Sequence, residues 1–241
     1  MSPTSAQRLP VTHRLRVGMP FPPDKRQRVT QTSASPWCTT GLVTATFPDG
    51  TEGESTGFAI GERHVVTAAH AVYDKDLGGL ATKVKFQPGR DAANLPFNTF
   101  TAAKWHVLDV YRDKDLTRDD YSLLVLSASM PAAVGRYQLT AADDSTLRGN
   151  EWQIAGYPDD KTPENSMWYA AGALAAVDQH LLQYRISTSA GQSGAAVAGY
   201  QAVSDTKAVG IHSRVNDDRT ANLAVRVTPQ VIKQIEEWKA R

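Results

Sequence analysis

The stretch Thr188-Ser189-Ala190-Gly191-Gln192-Ser193-Gly194 places one serine between two glycines, in a half of the chain patterned for short β-strands. A serine nucleophile needs a tight backbone that glycine permits, so that its hydroxyl projects and neighbouring N–H groups point at one spot. The pattern alone is a weak signal, because ordinary glycine and serine frequencies give it by chance in roughly a tenth of chains of this length. The rest of the sequence therefore has to separate a nucleophile from a serine in a turn.

Two further stretches supply the partners that a serine nucleophile requires. His64-Val65-Val66-Thr67-Ala68-Ala69-His70 has the pattern of a strand that ends in a histidine beside small residues, and Asp120 directly precedes a buried apolar run. We predict that His70, Asp120 and Ser193 are the catalytic residues. The backbone N–H groups of Gly191 and Ser193 are predicted to form the oxyanion hole.

Each of these assignments has a plainer alternative. Ser193 could be a turn serine and His70 a hydrogen-bonded core histidine. Asp119 is a rival acid, and Asp113 and Asp115 lie in the same loop. Asp120 is favoured because it lies at the mouth of the strand. The order His, Asp, Ser along the chain is that of chymotrypsin and differs from the order in subtilisin and in the α/β-hydrolases.

The pattern of the chain predicts an all-β fold of two packed β-barrels, since many short strands and few helices flank a central crossing. We expect an extended arm or pro-segment over residues 1–35, an N-terminal barrel over 36–130, and a C-terminal barrel with a terminal helix over 131–241. Thr228 is predicted to cap that helix and Pro229 to occupy its first position. The predicted strands are 42–47, 56–60, 65–69, 84–86, 101–107, 122–126, 152–156, 168–174, 181–187, 195–198, 208–211 and 222–227.

The bulk properties narrow the partners. The chain has 241 residues, a net charge of +1 and 41% hydrophobic residues, which is ordinary for a globular protein and gives no reason to expect nucleic acid or a membrane as a partner. Cys38 is the single cysteine, so no intrachain disulfide can form.

No metal-ligand spacing or phosphate-binding loop appears, so we expect no metal and no cofactor. We expect a monomer. The chain start lacks the apolar core of a signal peptide, which predicts either a secreted mature form or a cytoplasmic domain.

A family resemblance extends from about Asp24 to Trp238. The runs that carry it are Arg26–Thr32, Pro36-Trp37, Thr67–His70, Asp120–Val125, Gly156–Pro158 with Asp160-Lys161, Met167-Trp168, Gln183–Thr188, Gly191–Gly194 and Gly210–Ser213. Together they resemble the glutamyl endopeptidases, in the disulfide-poor, bacterial-type branch of the chymotrypsin-fold serine proteases. The resemblance implies two six-stranded antiparallel β-barrels of the chymotrypsin/trypsin type.

The resemblance also implies a reaction and a substrate. It implies cleavage of protein or peptide substrates after glutamate, less often after aspartate, through an acyl-enzyme. Thr188 and His212 match the family's substrate-binding residues, and a hydroxyl with an imidazole suits a carboxylate, the more so if the imidazole is cationic. The uncharged Ser187, expected at the base of the pocket, argues against a pocket for arginine or lysine.

Three departures from the family pattern bear on these expectations. Ser213-Arg214-Val215 stands where the family usually has a glycine-rich stretch that lines the cleft. Arg214 and Val215 are expected to alter or narrow substrate binding, or Arg214 to add a positive charge for acidic substrates. The family's mature amino terminus would fall near residues 17–19, which makes Arg16-Val17 a candidate processing bond. Gln192 replaces the aspartate that pairs with a new N-terminus in trypsin-like zymogens, so that ion pair cannot form.

Two other functions stay open at this point. One is a latent or non-catalytic regulatory module of a larger protein that keeps the protease fold. The other is a protease with a neutral or glutamine preference, because His212 also suits a neutral amide.

Overall fold

The described chain begins with an arm that lies along the second barrel. The computed structural model describes residues 18–199 and 206–241. In the arm, strand β1 (Gln27–Arg28) pairs antiparallel with Trp168 and Tyr169. The predicted boundaries at residues 35 and 130 stay a prediction, and residues 1–17 of the arm lie outside the described part.

Six antiparallel strands of the first half close into a barrel. They are β2 (Thr40–Thr46), β3 (Glu52–Ala59), β4 (His64–Thr67), β7 (Lys83–Pro88), β8 (Phe100–Val107) and β9 (Ser122–Leu126), joined in the ring order β2-β3-β4-β9-β8-β7. The short strands β5 (Tyr73–Asp74) and β6 (Gly79–Leu80) form a separate pair. A turn at Pro48-Asp49-Gly50 joins β2 to β3, and Gly50 adopts a φ of 87°, which glycine tolerates.

Six strands of the second half close a second antiparallel ring. They are β11 (Glu151–Gly156), β12 (Trp168–Val177), β13 (Leu181–Tyr184), β14 (Ala196–Gly199), β15 (Lys207–Val215) and β16 (Asn222–Arg226), in the ring order β12-β11-β14-β15-β16-β13. The short strand β10 (Gln138–Leu139) adds a parallel pairing to β15. The predicted pair of six-stranded barrels is confirmed.

Most strands fall where the apolar pattern placed them, with two instructive differences. The strand predicted over 181–187 ends at Tyr184, because the chain after it bonds the arm instead: Thr188 N–H donates to the Met19 carbonyl over 3.2 Å. The strand predicted over 208–211 runs on to Val215. The sequence missed α1 (Asp109–Lys114) and α2 (Asp144–Gly149), because six residues are too few to display a helical period.

The C-terminal helix α3 (Pro229–Lys239) begins as predicted, with the Thr228 hydroxyl accepting from Val231 N–H and Pro229 in the first turn. Its apolar stripe packs on a buried cluster at the junction of the barrels, which contains Phe58, Val66, Leu123, Ile211, Val225, Ile235 and Trp238. The helix therefore fastens the two barrels together. Among the described residues no helix has the length and apolar character needed to cross a membrane.

Replacing Trp238 with alanine should destabilise this junction. The Trp238 ring is 4% exposed, stacks on His106 at 5.8 Å between ring centroids and contacts Tyr121 at 5.6 Å. We expect the free energy of unfolding, measured by urea titration, to fall by about 3–5 kcal/mol. Lys233→Ala on the exposed side of the same helix should change it by less than about 0.5 kcal/mol. A loss of under about 1 kcal/mol for Trp238→Ala would show that the helix is not a structural fastening.

Candidate active site

A histidine and a carboxylate meet at the edge of the first barrel, where β4 ends beside the start of the antiparallel strand β9. Thr67 pairs with Ser122 in this ladder, so His70, three residues beyond β4, and Asp120, two residues before β9, are brought together. The Asp120 carboxylate accepts from His70 Nδ1 over 2.8 Å and from the His70 backbone N–H over 3.0 Å. These bonds hold the imidazole with Nδ1 protonated, which leaves Nε2 as a base.

The second barrel also contributes donors to Asp120. The Ser213 hydroxyl donates to Asp120 Oδ2, and Arg214 Nη2 lies 3.4 Å from the same oxygen. Consecutive residues of a regular strand point to opposite faces. Strand β15, however, has an irregularity between His212 and Arg214, which lets the side chains of Ser213 and Arg214 both reach the Asp120 carboxylate.

The Asp120 carboxylate is fully buried. Burial raises its pKa, but the charges and hydrogen bonds of His70, Arg214 and Ser213 outweigh burial and hold the pKa well below its usual range. Asp120 is therefore ionised throughout the neutral range. The rival acids do not make this contact: Asp119 pairs with Arg118 at 3.6 Å, and Asp115 pairs with Arg214 at 3.2 Å.

Arg214 is turned inward. Its guanidinium bonds Tyr111 and Asp115 as well as Asp120, and its side chain is only 11% exposed. The positive charge that the sequence suggested for acidic substrates is thus used to hold the carboxylate of Asp120.

Ser193 reaches the same cluster through Ser213. The Ser193 hydroxyl donates to the Ser213 carbonyl over 3.3 Å, and Gly194 N–H donates to the His212 carbonyl over 2.7 Å. Ser213 is therefore bonded to both Ser193 and Asp120, and Asp120 is bonded to His70, so one chain of hydrogen bonds links the three predicted catalytic residues. In this structure the Ser193 hydroxyl donates to Ser213 and not to His70. No role was predicted for Ser213 from the sequence, although it directly follows His212.

The loop before Ser193 has a backbone that requires glycine. Gly191 adopts a φ of 86°, and a side chain there would collide with the carbonyl oxygen of Tyr157. The carbonyls of Ala190 and Gly191 are held from outside, by Asp159 N–H over 2.9 Å and by the Thr56 hydroxyl over 2.7 Å.

This backbone leaves two donors free. The trans peptide turns the Gly191 N–H away from the bonded Ala190 carbonyl. Within residues 18–199 and 206–241, neither this N–H nor that of Ser193 donates to a protein acceptor. Both are available for an oxyanion.

Gln192 is anchored by the arm. Its side-chain oxygen accepts from Ser189 N–H over 3.0 Å and lies 3.4 Å from Arg26 Nη1. The Arg26 side chain is fully buried and pairs with Asp24 at 2.8 Å and Asp160 at 2.5 Å. An internal arginine thus lies beside Gln192, the residue before Ser193. The candidate bond Arg16-Val17 lies outside the described residues.

Thr188 and His212 meet in a buried pocket beside Ser193. Both are 0% exposed, and a side chain on Gly18 of the arm would collide with Thr188 Oγ1 and with the His212 ring. Asn222 Nδ2 donates to Thr188 Oγ1 over 2.9 Å, so the Thr188 hydroxyl proton is free to donate elsewhere. Ser187 instead bonds the arm, accepting from Phe21 N–H over 2.9 Å.

His212 is uncharged in this pocket. Burial, together with the nearby His70, lowers the pKa of His212 to about 3. The cationic imidazole considered from the sequence is therefore not the form present near neutral pH in the protein without substrate.

Comparison with known proteins gives a consistent result. Residues 55–211 match the family model described as a trypsin-like peptidase domain. The chain is 30% identical over 222 residues to a glutamyl endopeptidase of Bacillus licheniformis, covering 90% of this chain and 67% of that protein. Among solved structures, a Glu endopeptidase in complex with MPD superposes with a TM-score of 0.80 at 23% identity, covering 90% of this chain and 97% of that one.

Another relative carries a different name. A protein of Bacillus subtilis (strain 168) named extracellular metalloprotease is 29% identical over 216 residues, covering 89% of this chain and 68% of its own length. Among the described residues of the present chain, no three His, Cys, Asp or Glu side chains are grouped so that they could hold a metal ion.

Replacing Asp120 with asparagine should change how stability depends on pH. The folded pKa of Asp120 lies below its ordinary value of 3.8, so its stabilising contribution is present above about pH 4 and is lost as the pH falls. A single such group contributes a slope of up to about 1.4 kcal/mol per pH unit to the free energy of unfolding. Urea titrations from pH 6 to pH 2 should show this slope for the native chain and its loss in Asp120→Asn.

The exposed Asp113→Asn is the matched control and should keep the slope. An unchanged slope in Asp120→Asn would show that its contacts do not stabilise the ionised form.

Proposed function

This chain belongs to the trypsin-like serine peptidase family, in its glutamyl endopeptidase branch, and on that premise we propose that it is an endopeptidase that cleaves after glutamate, less often after aspartate. The observation that carries the proposal is the fully buried Asp120 carboxylate, which is bonded to His70 Nδ1 at 2.8 Å and is linked to Ser193 through Ser213. A protein or peptide is the substrate class of this family.

The proposed reaction proceeds through an acyl-enzyme. Ser193 Oγ attacks the scissile carbonyl carbon as its proton passes to His70 Nε2. Asp120 keeps the imidazole in the required tautomer and stabilises its protonated form. The tetrahedral intermediate collapses with cleavage of the C–N bond, and the proton on His70 passes to the leaving amine. Water then releases the acid by the same steps in reverse order.

The N–H groups of Gly191 and Ser193 are the proposed oxyanion donors. These N–H groups are preorganised, because the hydrogen bonds from Thr56 and Asp159 hold the loop in place before substrate binds. Loss of one such donor in related chemistry costs roughly 3–4 kcal/mol of transition-state stabilisation.

Glutamate is the proposed residue before the scissile bond because the pocket offers the Thr188 hydroxyl proton and the unpartnered Nε2 of His212, and neither side chain carries a negative charge. A carboxylate in a buried site needs such donors to replace the water it loses. The selectivity is not assigned to Arg214 or Val215. Arg214 binds Asp120, and Val215 is buried at the end of β15.

Replacing Ser193 with alanine should abolish peptide hydrolysis. We expect kcat to fall by about 10⁶-fold, the loss seen when the nucleophile of such a triad is removed. The assay is cleavage of a mixed peptide library read by mass spectrometry, with Ser127→Ala, an exposed serine, as the matched control. Activity near the native level in Ser193→Ala would overturn the assignment.

A native chain that cleaves nothing would favour the alternative of a latent or non-catalytic module. The contact of Gly18 with the pocket residues is the observation behind that alternative. Labelling of Ser193 by a fluorophosphonate, before and after removal of residues 1–20 by limited proteolysis, separates the two. Labelling only afterwards indicates latency, and none in either state indicates a non-catalytic module.

Replacing His212 with leucine should lower selectivity more than turnover. We expect the ratio of kcat/KM for a Glu peptide to that for its Gln counterpart to fall by roughly tenfold or more, because one hydrogen bond to a charged group is lost. Since the pKa of His212 is about 3, the native ratio should also stay constant between pH 6 and pH 8. An unchanged ratio in His212→Leu would remove His212 from the pocket assignment, whatever the outcome for Ser193.

A further inference from the structure

Behind the pocket, a buried tyrosine contacts the far side of the His212 ring. The Tyr184 hydroxyl lies 2.6 Å from His212 Nδ1, and both residues are 0% exposed. On the other side of the ring, His212 Nε2 is buried and has no hydrogen-bond partner within residues 18–199 and 206–241. The ring therefore presents its unsatisfied nitrogen to the pocket and its satisfied nitrogen to Tyr184.

The direction of the Tyr184 bond determines what the pocket offers. A neutral imidazole carries one proton. If Tyr184 donates to Nδ1, the proton of the ring is on Nε2, which then donates into the pocket. If Nδ1 donates to Tyr184, Nε2 presents a lone pair and can only accept.

The geometry favours donation from Tyr184. An O–H donor typically gives heavy-atom distances near 2.7 Å, whereas N–H donors centre near 2.9–3.0 Å, so 2.6 Å suits the hydroxyl as donor. The other acceptor within reach of this hydroxyl, the Leu223 carbonyl, is farther away at 3.3 Å. Burial also raises the pKa of Tyr184 well above its usual range, so the hydroxyl keeps its proton.

We propose that Tyr184 is a positioning residue that fixes His212 as the Nε2–H tautomer, so that the pocket selects a glutamate carboxylate with a neutral donor and not with a charge. The inference rests on the proposed function and adds to it the cause of the selectivity. A carboxylate only accepts hydrogen bonds, whereas a glutamine amide also presents two N–H donors that would suit the opposite tautomer. Tyr184 thereby distinguishes an acid-selective pocket from an amide-selective one.

The first test is Tyr184→Phe. Without the hydroxyl, Nδ1 loses the donor that keeps it unprotonated, so the ring is free to carry its proton on Nδ1. We expect the Glu-to-Gln ratio of kcat/KM to fall by about tenfold or more, mainly through KM for the Glu peptide, with kcat for the Gln peptide retained. Tyr137→Phe, which removes a hydroxyl from another buried tyrosine, is the matched control and should keep the native ratio.

A second measurement reads the tautomer directly and needs no activity. Long-range ¹H–¹⁵N NMR on the Ser193→Ala chain at pH 7 should show His212 with Nε2 protonated and Nδ1 unprotonated, its signals identified by their absence in His212→Leu. In Tyr184→Phe the signals should move toward the Nδ1–H form. A native ring with Nδ1 protonated, or with both nitrogens protonated, overturns the inference.

The proposed preference for glutamate and the proposed role of Tyr184 can be disproved separately. A native chain that shows no preference for Glu contradicts the proposed specificity, while NMR still reports whether Tyr184 sets the tautomer. A native chain that prefers Glu, with an unchanged ratio in Tyr184→Phe, overturns the role of Tyr184 alone.

Discussion

The active-site cleft depends on one buried carboxylate. Asp120 has no contact with solvent and accepts hydrogen bonds from His70 of the first barrel and from Ser213 of the second, with Arg214 beside it. An ionised carboxylate survives in such a place only if donors replace its lost hydration. Because those donors come from both barrels, the hydrogen bonds to Asp120 also fix the relative position of the two halves, and with it the position of Ser213, which binds Ser193.

The second constraint is the arm, which holds the nucleophile loop from the opposite side. Arg26 is fully buried between Asp24 and Asp160 and reaches Gln192, the residue before Ser193. Removing one partner of a buried ion pair typically costs about 3–5 kcal/mol, since the other charge is left uncompensated. The loop that presents Gly191 and Ser193 is therefore held by charges internal to the chain.

The pocket shows a different use of the same physics. Thr188 and His212 are buried but uncharged, and each is oriented by a residue behind it, Thr188 by Asn222 and His212 by Tyr184. Neutral donors avoid the desolvation cost that a buried cation would carry before substrate binds. The two parts of the site therefore differ: a fixed charge stabilises Asp120, whereas the pocket formed by Thr188 and His212 depends on the direction of its hydrogen bonds.

Local patterns of residues were enough to predict the strands with apolar runs, the Thr228-capped helix, and the glycine-dependent loop around Ser193. They also pointed to His70 and Asp120, because each stands next to an apolar run. The inward orientation of Arg214, the hydrogen bonds of Ser213, the contact of Gln192 with Arg26, and the neutral state of His212 could be seen only in the folded chain. These depend on contacts between residues far apart in the chain, such as Arg26 with Asp160 and Arg214 with Asp120, and on burial, which no local pattern of residues records.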